Sequence, residues 1–332
     1  MEKLSYSPVN NISIQNFKSI ESLQLTDCRR INVLIGRPNV GKSNILEALS
    51  LFDVPFMVNS SNKSLKNLLR IENAAGLFHN GISSLPVRIK ADERLLSVSR
   101  SPGNGLSVDI SIGGEEMKYN FTSQLTLSTK REPTVLPDIL VYFFPRQIVP
   151  EVSVFDFLLP TSGGNLMETV ANLPVLRSHL AELFHGYGLK MMFDSGSRQI
   201  KAMRESGLDM FLVPFNSLAD SLQRLIFYKA AIESNTNKVI CFEEPEAHTF
   251  PPYITSVVDN IINSVENQFF LTTHSPYVIS SLLESAGDDL AIFVVDMDDN
   301  KTVVKRLSDY QLQAIYDNGI DMFYNIETFI AG

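Results

Sequence analysis

The chain predicts an α/β protein with a parallel or mixed core sheet, joined to an antiparallel β lobe and a helical lobe. Over the last third, apolar runs at 239–242, 269–273 and 291–295 alternate with helical periods over about 252–265 and 277–283. Near-continuous apolar strands interleaved with helices argue for a parallel sheet buried on both faces. Near the start, the apolar run 31–35 passes through a glycine-bearing loop into a helical period over 42–52. Between about 85 and 144, short runs at 87–89, 96–98, 108–112 and 139–144 are separated by Gly/Asn/Pro turns such as 101–105, the pattern of antiparallel β structure.

Taken in order, residues 11–17 alternate apolar and polar as a half-buried strand does, and Leu23 and Leu25 mark a second strand. The helix after the 31–35 strand is carried by Ile45, Leu46, Leu49, Leu51 and Phe52. From about 150 to 235 helical periods dominate, with Leu173, Val175, Leu176, Leu180, Leu183 and Phe184 as one stripe. Short strands near 191–193 and 210–213 interrupt them. After 291–295 come a strand at 302–304 and a helix over 309–316, and Asp296, Asp298 and Asp299 read as a hairpin tip. The expected organisation is one composite unit over 1–332. It has a β-rich lobe at 1–144, a helical lobe at 145–235, and the C-terminal part of the core sheet at 236–332.

Bulk properties narrow the function. Of 332 residues, 44% are apolar and 20% charged, an ordinary globular mixture. No apolar run approaches the ~18 residues needed to span a bilayer. The polar first eleven residues carry no signal-peptide core. Both observations predict a cytoplasmic protein without a membrane partner. The net charge of −9 argues against a protein that coats nucleic acid, though not against a local basic patch. Cys28 and Cys241 have no metal-ligand spacing, and Cys241 reads as a small core residue.

The strongest chemical signal is the loop Gly36-Arg37-Pro38-Asn39-Val40-Gly41-Lys42-Ser43. It matches the phosphate-binding P-loop in full, with an apolar strand before it and a helix after it. Glycines let backbone N–H groups wrap a phosphate, and the helix N-terminus adds unpaired donors and positive dipole. Lys42 would bridge the outer phosphates of ATP, the Ser43 hydroxyl would ligate Mg2+, and Asn44 completes the nucleotide cradle.

Two later strand ends carry polar tips. Phe242-Glu243-Glu244-Pro245-Glu246 sets carboxylates at the carboxyl end of a buried strand, where open α/β sheets bind ligands. Alternation sends adjacent side chains different ways, so Glu243 would reach the Mg2+ shell and Glu244 would face the attacking water as general base. Glu246 would serve the first turn of a short helix, and His248 reads as a structural or surface residue. Thr272-Thr273-His274-Ser275-Pro276 ends the next strand, and His274 would hydrogen-bond the γ-phosphate.

In this order, from Ile14-Gln15-Asn16-Phe17-Lys18-Ser19-Ile20 through the P-loop to Glu243-Glu244-Pro245-Glu246-Ala247-His248 and Thr273-His274, the chain resembles the ABC-type ATPase heads of the SMC and OLD group, and most of all their stand-alone bacterial AAA-type relatives. The resemblance implies a P-loop NTPase fold over residues 11–320. It also implies a signature segment on the helix before the acidic strand, here Ser217 to Arg224 with Ala219, Asp220 and Ser221 facing a partner's nucleotide. Relatives usually carry Ser and Gly where this chain has Ala219 and Ser221, and Asp where it has Glu243. A metal-side Gln is implied at Gln147. Lys18 is either a nucleotide contact or a surface lysine.

Such heads bind ATP and Mg2+ between two subunits, so the resemblance implies a homodimer glued by ATP, released by hydrolysis, and controlling a separate effector such as a nuclease or toxin. Phage defence and DNA repair are the cellular roles it suggests. No Toprim cluster and no long heptads occur in these residues, so a head without its own nuclease or arm is expected. An ATP-dependent nucleic-acid clamp, with DNA as candidate partner, is the alternative. A GTPase would need a guanine-reading Asn-Lys-x-Asp; Asn237-Lys238-Val239-Ile240 lacks the Asp.

Overall fold

A computed structural model describes residues 7–58, 60, 63–128, 135–207 and 209–331. The polar N-terminal stretch read above begins outside them. The chain divides into two compact units, one of Met1–Val141, Asn237–Glu243 and Gln268–Gly332, the other of Tyr142–Thr236 and Glu244–Asn267.

The first unit holds two six-stranded sheets. One is antiparallel, ordered β2-β1-β4-β5-β6-β7, from β1 (Ile12–Phe17), β2 (Ile20–Leu25), β4 (Val87–Ala91), β5 (Arg94–Arg100), β6 (Leu106–Ile112) and β7 (Glu115–Phe121). Its strands alternate buried and exposed positions, as expected when one face is covered. The other is the core sheet, ordered β15-β14-β3-β13-β12-β8. It comprises β3 (Ile31–Ile35), β8 (Ile139–Tyr142), β12 (Val239–Glu243), β13 (Gln268–Thr272), β14 (Leu290–Asp298) and β15 (Lys301–Arg306). Here β3, β13 and β8 are buried at every position, the signature of strands covered on both faces. The pairs β12–β13, β13–β3 and β3–β14 are parallel, and the β14–β15 hairpin is antiparallel, so the sheet is mixed. Asp299 and Asn300 form its tip, both with positive φ; Asp296 and Asp298, read as part of that tip, instead pair within the hairpin with Val303 and Lys301.

Helix α1 (Lys42–Ser50) follows β3 directly and buries Ile45, Leu46, Ala48 and Leu49; a short α2 (Val54–Met57) comes next. The second unit contains α3 (Leu166–Ala171), α4 (Pro174–Gly186), α5 (Asp220–Glu233) and α6 (Pro251–Asn263), with the antiparallel sheet β11-β10-β9. That sheet is β9 (Lys190–Asp194), β10 (Gln199–Ser206) and β11 (Asp209–Pro214). The first unit closes with α7 (Pro276–Ser285), α8 (Asp309–Asn318) and α9 (Ile326–Ala331). Helix α8 starts at a full capping box, Ser308 with Gln311, and stops at Gly319 in the left-handed conformation.

Strands β7 and β10 are absent from the reading above. Glu115-Glu116-Met117-Lys118 and Gln199-Ile200-Lys201 carry too many charged or polar side chains to stand out; strand pairing decides them, on one side for β7 and on both for β10. Cys28 and Cys241 are both buried and free. Among the described residues, no helix is long and apolar enough to cross a membrane.

One core feature is electrostatically unfavourable. Asp53, in the turn after α1, is 1% exposed, and neither carboxylate oxygen has a hydrogen-bond partner of normal geometry. Burial first, then the nearby Asp138 carboxylate, hold its pKa well above the ordinary value, and Lys238 and the Val141 backbone counter them only in part. A raised folded-state pKa favours the native state below the unfolded carboxylate value, and that contribution is lost as pH climbs through the folded value. Asp53→Asn should therefore raise the melting temperature near pH 7.5 by the equivalent of about 1–3 kcal/mol. The gain should shrink towards pH 5, and a thermal-melt series showing a pH-independent gain would refute the buried-acid account.

Candidate functional site

Strand order creates the site. β3 has parallel neighbours on both sides, β14 and β13, and β12 lies beyond β13. In register, Thr272 stands opposite Leu34 and Glu243 opposite Thr272. Gly36, the Thr273-His274 tip and Glu243 therefore emerge at one carboxyl edge of the sheet. That edge, where connections leave a strand in opposite directions, is where open α/β sheets bind ligands.

The loop from Gly36 to Ser43 is packed too tightly for side chains at its two glycines. A Cβ on Gly36 would stand 2.1 Å from the Val295 carbonyl oxygen, and one on Gly41 2.2 Å from Thr302 Oγ1. Gly41 also has φ +98, a region L side chains avoid. Asn39 takes a left-handed φ of 63, which Asn tolerates. Pro38 is exposed and Val40 is buried beneath the turn. Exposed Arg37 pairs with Glu327 at 2.6 Å.

Lys42 is 5% exposed, and a buried ammonium needs acceptors. Its Nζ donates to the Gly36 and Arg37 carbonyls at 3.0 and 2.7 Å. The back of the loop is pinned by a relay with a single proton direction. Asn44 Nδ2 donates to Ser19 Oγ (2.7 Å), Ser19 to Thr302 Oγ1 (2.6 Å), and Thr302 to the Val40 carbonyl (2.9 Å). Asn44, expected in the nucleotide cradle, thus spends its amide bracing the loop. Ser43 is half-buried at the start of α1.

A second polar network sits under α1. Lys18 is not a surface lysine: its ammonium pairs with Glu47, whose side chain is 2% exposed. Glu47 Oε2 also accepts the Arg70 N–H at 3.1 Å, and Lys18 Nζ donates to the Arg70 carbonyl at 3.2 Å. The Arg70 guanidinium in turn grips both oxygens of Glu243. Neither Glu47 nor Arg70 is among the residues read from sequence. Glu47 had a signal, an acid on the buried face of α1 among Ile45, Leu46, Ala48 and Leu49; Arg70 had none.

His274 is half-buried just past β13, its ring 6.3 Å from that of Phe323. Ser275 caps α7 by accepting the Val278 N–H, which orients the turn at the strand tip.

The second unit carries the remaining residues. Glu244 begins its 244–267 segment with φ +41, uncommon for a non-glycine residue, and its carbonyl accepts the Ala247 N–H at 3.0 Å. His248 also has positive φ. Helix α5 starts at Asp220 with Ala219 as its uncapped N-cap, so the segment 219–221 lies at a helix N-terminus. Asp220 pairs with Arg224 at 3.1 Å. Ser221 is occupied at both ends, donating to the His248 carbonyl (2.9 Å) and accepting the Phe250 N–H (3.1 Å). Gln147 is exposed in the loop after β8. That loop is held by reciprocal bonds between Asn216 and Ile148 of 3.2 and 3.1 Å.

Whether these residues suit magnesium can be judged from the donors. Among the described residues there is no group of three or more His, Cys, Asp or Glu able to hold a metal by themselves. One hydroxyl at Ser43 and one carboxylate at Glu243 are hard oxygen donors. That sparse set fits a cation that takes most ligands from phosphate and water, as Mg2+ does.

Comparison with known proteins agrees with this architecture. The chain superimposes on an SMC head bound to the C-winged helix domain of ScpA with TM-score 0.50 and 15% identity, covering 92% of this chain and 99% of that one. For an SMC head domain with an extended coiled coil, bound to the C-terminal domain of ScpA and derived from Pyrococcus furiosus, the values are 0.50 and 13%, over 93% and 98%. These matches establish the fold. A 44-residue stretch is 46% identical to the uncharacterized protein MJECL10 of Methanocaldococcus jannaschii, spanning 13% of this chain and only 20% of that protein. The AAA ATPase domain model matches residues 8–113 and 217–279, just over half of the chain, and these blocks contain the P-loop, the 219–221 segment, Glu243, Glu244 and His274. The chain is a P-loop ATPase head with the SMC-head fold, and it belongs to the AAA ATPase domain family.

Proposed function

We propose that this chain is a cytoplasmic ATP-driven switch. It binds ATP with magnesium, closes a homodimer around the nucleotides, and reopens by hydrolysing ATP to ADP and phosphate, thereby controlling a separate effector such as a nuclease or toxin. The reading is carried by the β14-β3-β13-β12 order, which sets the glycine loop, Glu243 and the strand leading into His274 on one sheet edge.

Mg–ATP, when bound, supplies a triphosphate and a divalent charge that screens it. Lys42 exchanges its two carbonyl acceptors for phosphate oxygens, a stronger charge-assisted pairing. The loop N–H groups from Pro38 to Asn44, prolines aside, point donors at the same oxygens. Ser43 and Glu243 hold the metal, with Gln147 as a further ligand. Glu244, one residue past Glu243, orients the attacking water and takes its proton. His274 hydrogen-bonds the terminal phosphoryl group. The helix end at Ala219, Asp220 and Ser221 offers its positive dipole to the nucleotide of a second copy. Such contacts are differential, made only in the closed dimer, and this is what lets ATP shift the equilibrium.

Three outcomes are expected. Lys42→Ala should weaken a fluorescent ATP analogue by about 30- to 100-fold, the loss of one or two charged hydrogen bonds; unchanged affinity defeats the loop assignment. Glu244→Gln should slow turnover by about 100-fold or more and accumulate an ATP-dependent dimer in light scattering; a species that stays monomeric with ATP defeats the sandwich. His274→Ala should lower kcat about tenfold while changing ATP affinity little, and the reverse pattern would make it a structural histidine.

A further inference from the structure

Arg70 stands where the metal-side carboxylate must be approached. Its N–H and carbonyl are both tied down, to Glu47 and Lys18, so its Cα is fixed against the helix that follows the phosphate loop. Its side chain is 62% exposed, and the guanidinium reaches the Glu243 carboxylate, which is only 12% exposed. The contact is two-pronged: Nη1 donates to Oε1 at 2.9 Å and Nη2 to Oε2. A fork of this kind uses the lone pairs of both oxygens that face it.

A divalent cation on the same carboxylate needs one of those oxygens at about 2.0–2.1 Å. It would then sit against a guanidinium of like charge, and the repulsion in a half-buried site is large. We infer that Arg70 is an internal competitor of the divalent cation for Glu243, a positioning residue that must release the carboxylate before metal takes it. The inference rests on the metal-side role given to Glu243 above. It also gives a physical reason for Glu at this position. The extra methylene relative to Asp carries the carboxylate out to the arginine fork. The anchored backbone keeps the guanidinium within reach of the same carboxylate.

The test is a double-mutant cycle on metal linkage. Affinity for a fluorescent ATP analogue is measured in EDTA and in Mg2+ for the wild type, Arg70→Ala, Glu243→Gln and the double variant, each checked for an unaltered melting profile. The readout is the factor by which Mg2+ tightens binding. Removing the competitor should raise that factor by about fivefold, the scale of a partly exposed bidentate pair. The rise should vanish in the Glu243→Gln background. A factor unchanged or lowered by Arg70→Ala overturns the competition, and so does an equal rise when Glu243 is already Gln. The EDTA arm isolates triphosphate binding; no binding in either EDTA or Mg2+ in the wild type overturns the ATPase reading itself and this inference with it.

Discussion

The turn between β3 and α1 closes against the backbone of β14 and the side chain of Thr302, and most of what the first unit does follows from that closeness. Val295 and Thr302 approach Gly36 and Gly41 to distances at which no Cβ fits. The turn is thus compressed from behind by its own sheet and pinned there through the Asn44–Ser19–Thr302–Val40 relay. In that relay every hydroxyl gives one proton and receives another, so none is left unsatisfied. A loop braced on one side is held in one conformation, the kind of preorganisation an anion site would need. Lys42 fits the same logic, its charge held over two loop carbonyls rather than stranded in the interior.

A second constraint lies on the opposite flank of α1. The Lys18–Glu47 pair is almost wholly buried, and removing one partner of such a pair leaves a costly uncompensated charge. Its function reaches further than stability. Through the Arg70 backbone it positions the guanidinium that holds Glu243. The middle of the phosphate-loop helix and the tip of β12 are thereby joined by one continuous set of polar contacts within the first unit.

In the second unit Ser221 illustrates how a departure from a family pattern acquires a role. Where the family resemblance implies glycine, this chain places a hydroxyl that joins the start of α5 to the turn at 248–250, bonded to both His248 and Phe250. That turn belongs to the segment opened by Glu244 in its left-handed conformation. Two non-glycine residues at positive φ, Glu244 and His248, are conformations that surrounding structure has to enforce, and Ser221 is one of the groups that does so.

How far the sequence reached follows from the range of the forces involved. The P-loop, the apolar strands 31–35, 239–242 and 269–273 and the helices between them are local patterns, set by periodicity and by the conformational needs of glycine, and they were legible without coordinates. Strand order was not: that the His274 strand lies between β3 and β12 depends on which apolar faces meet in the folded chain. The charged strands β7 and β10 were hidden because their composition follows solvent exposure, and only cross-strand pairing makes them strands. Arg70 was invisible for the same reason. Its partner Glu243 is 173 residues away, and an ion pair between distant side chains has no period, no spacing and no neighbouring residue to announce it. By itself the sequence determined that a glycine-bearing loop would join β3 to α1 and which residues would make it. Tertiary packing alone decided what braces that loop and which cation holds the Glu243 carboxylate, because both depend on contacts that exist only once distant segments share one sheet edge.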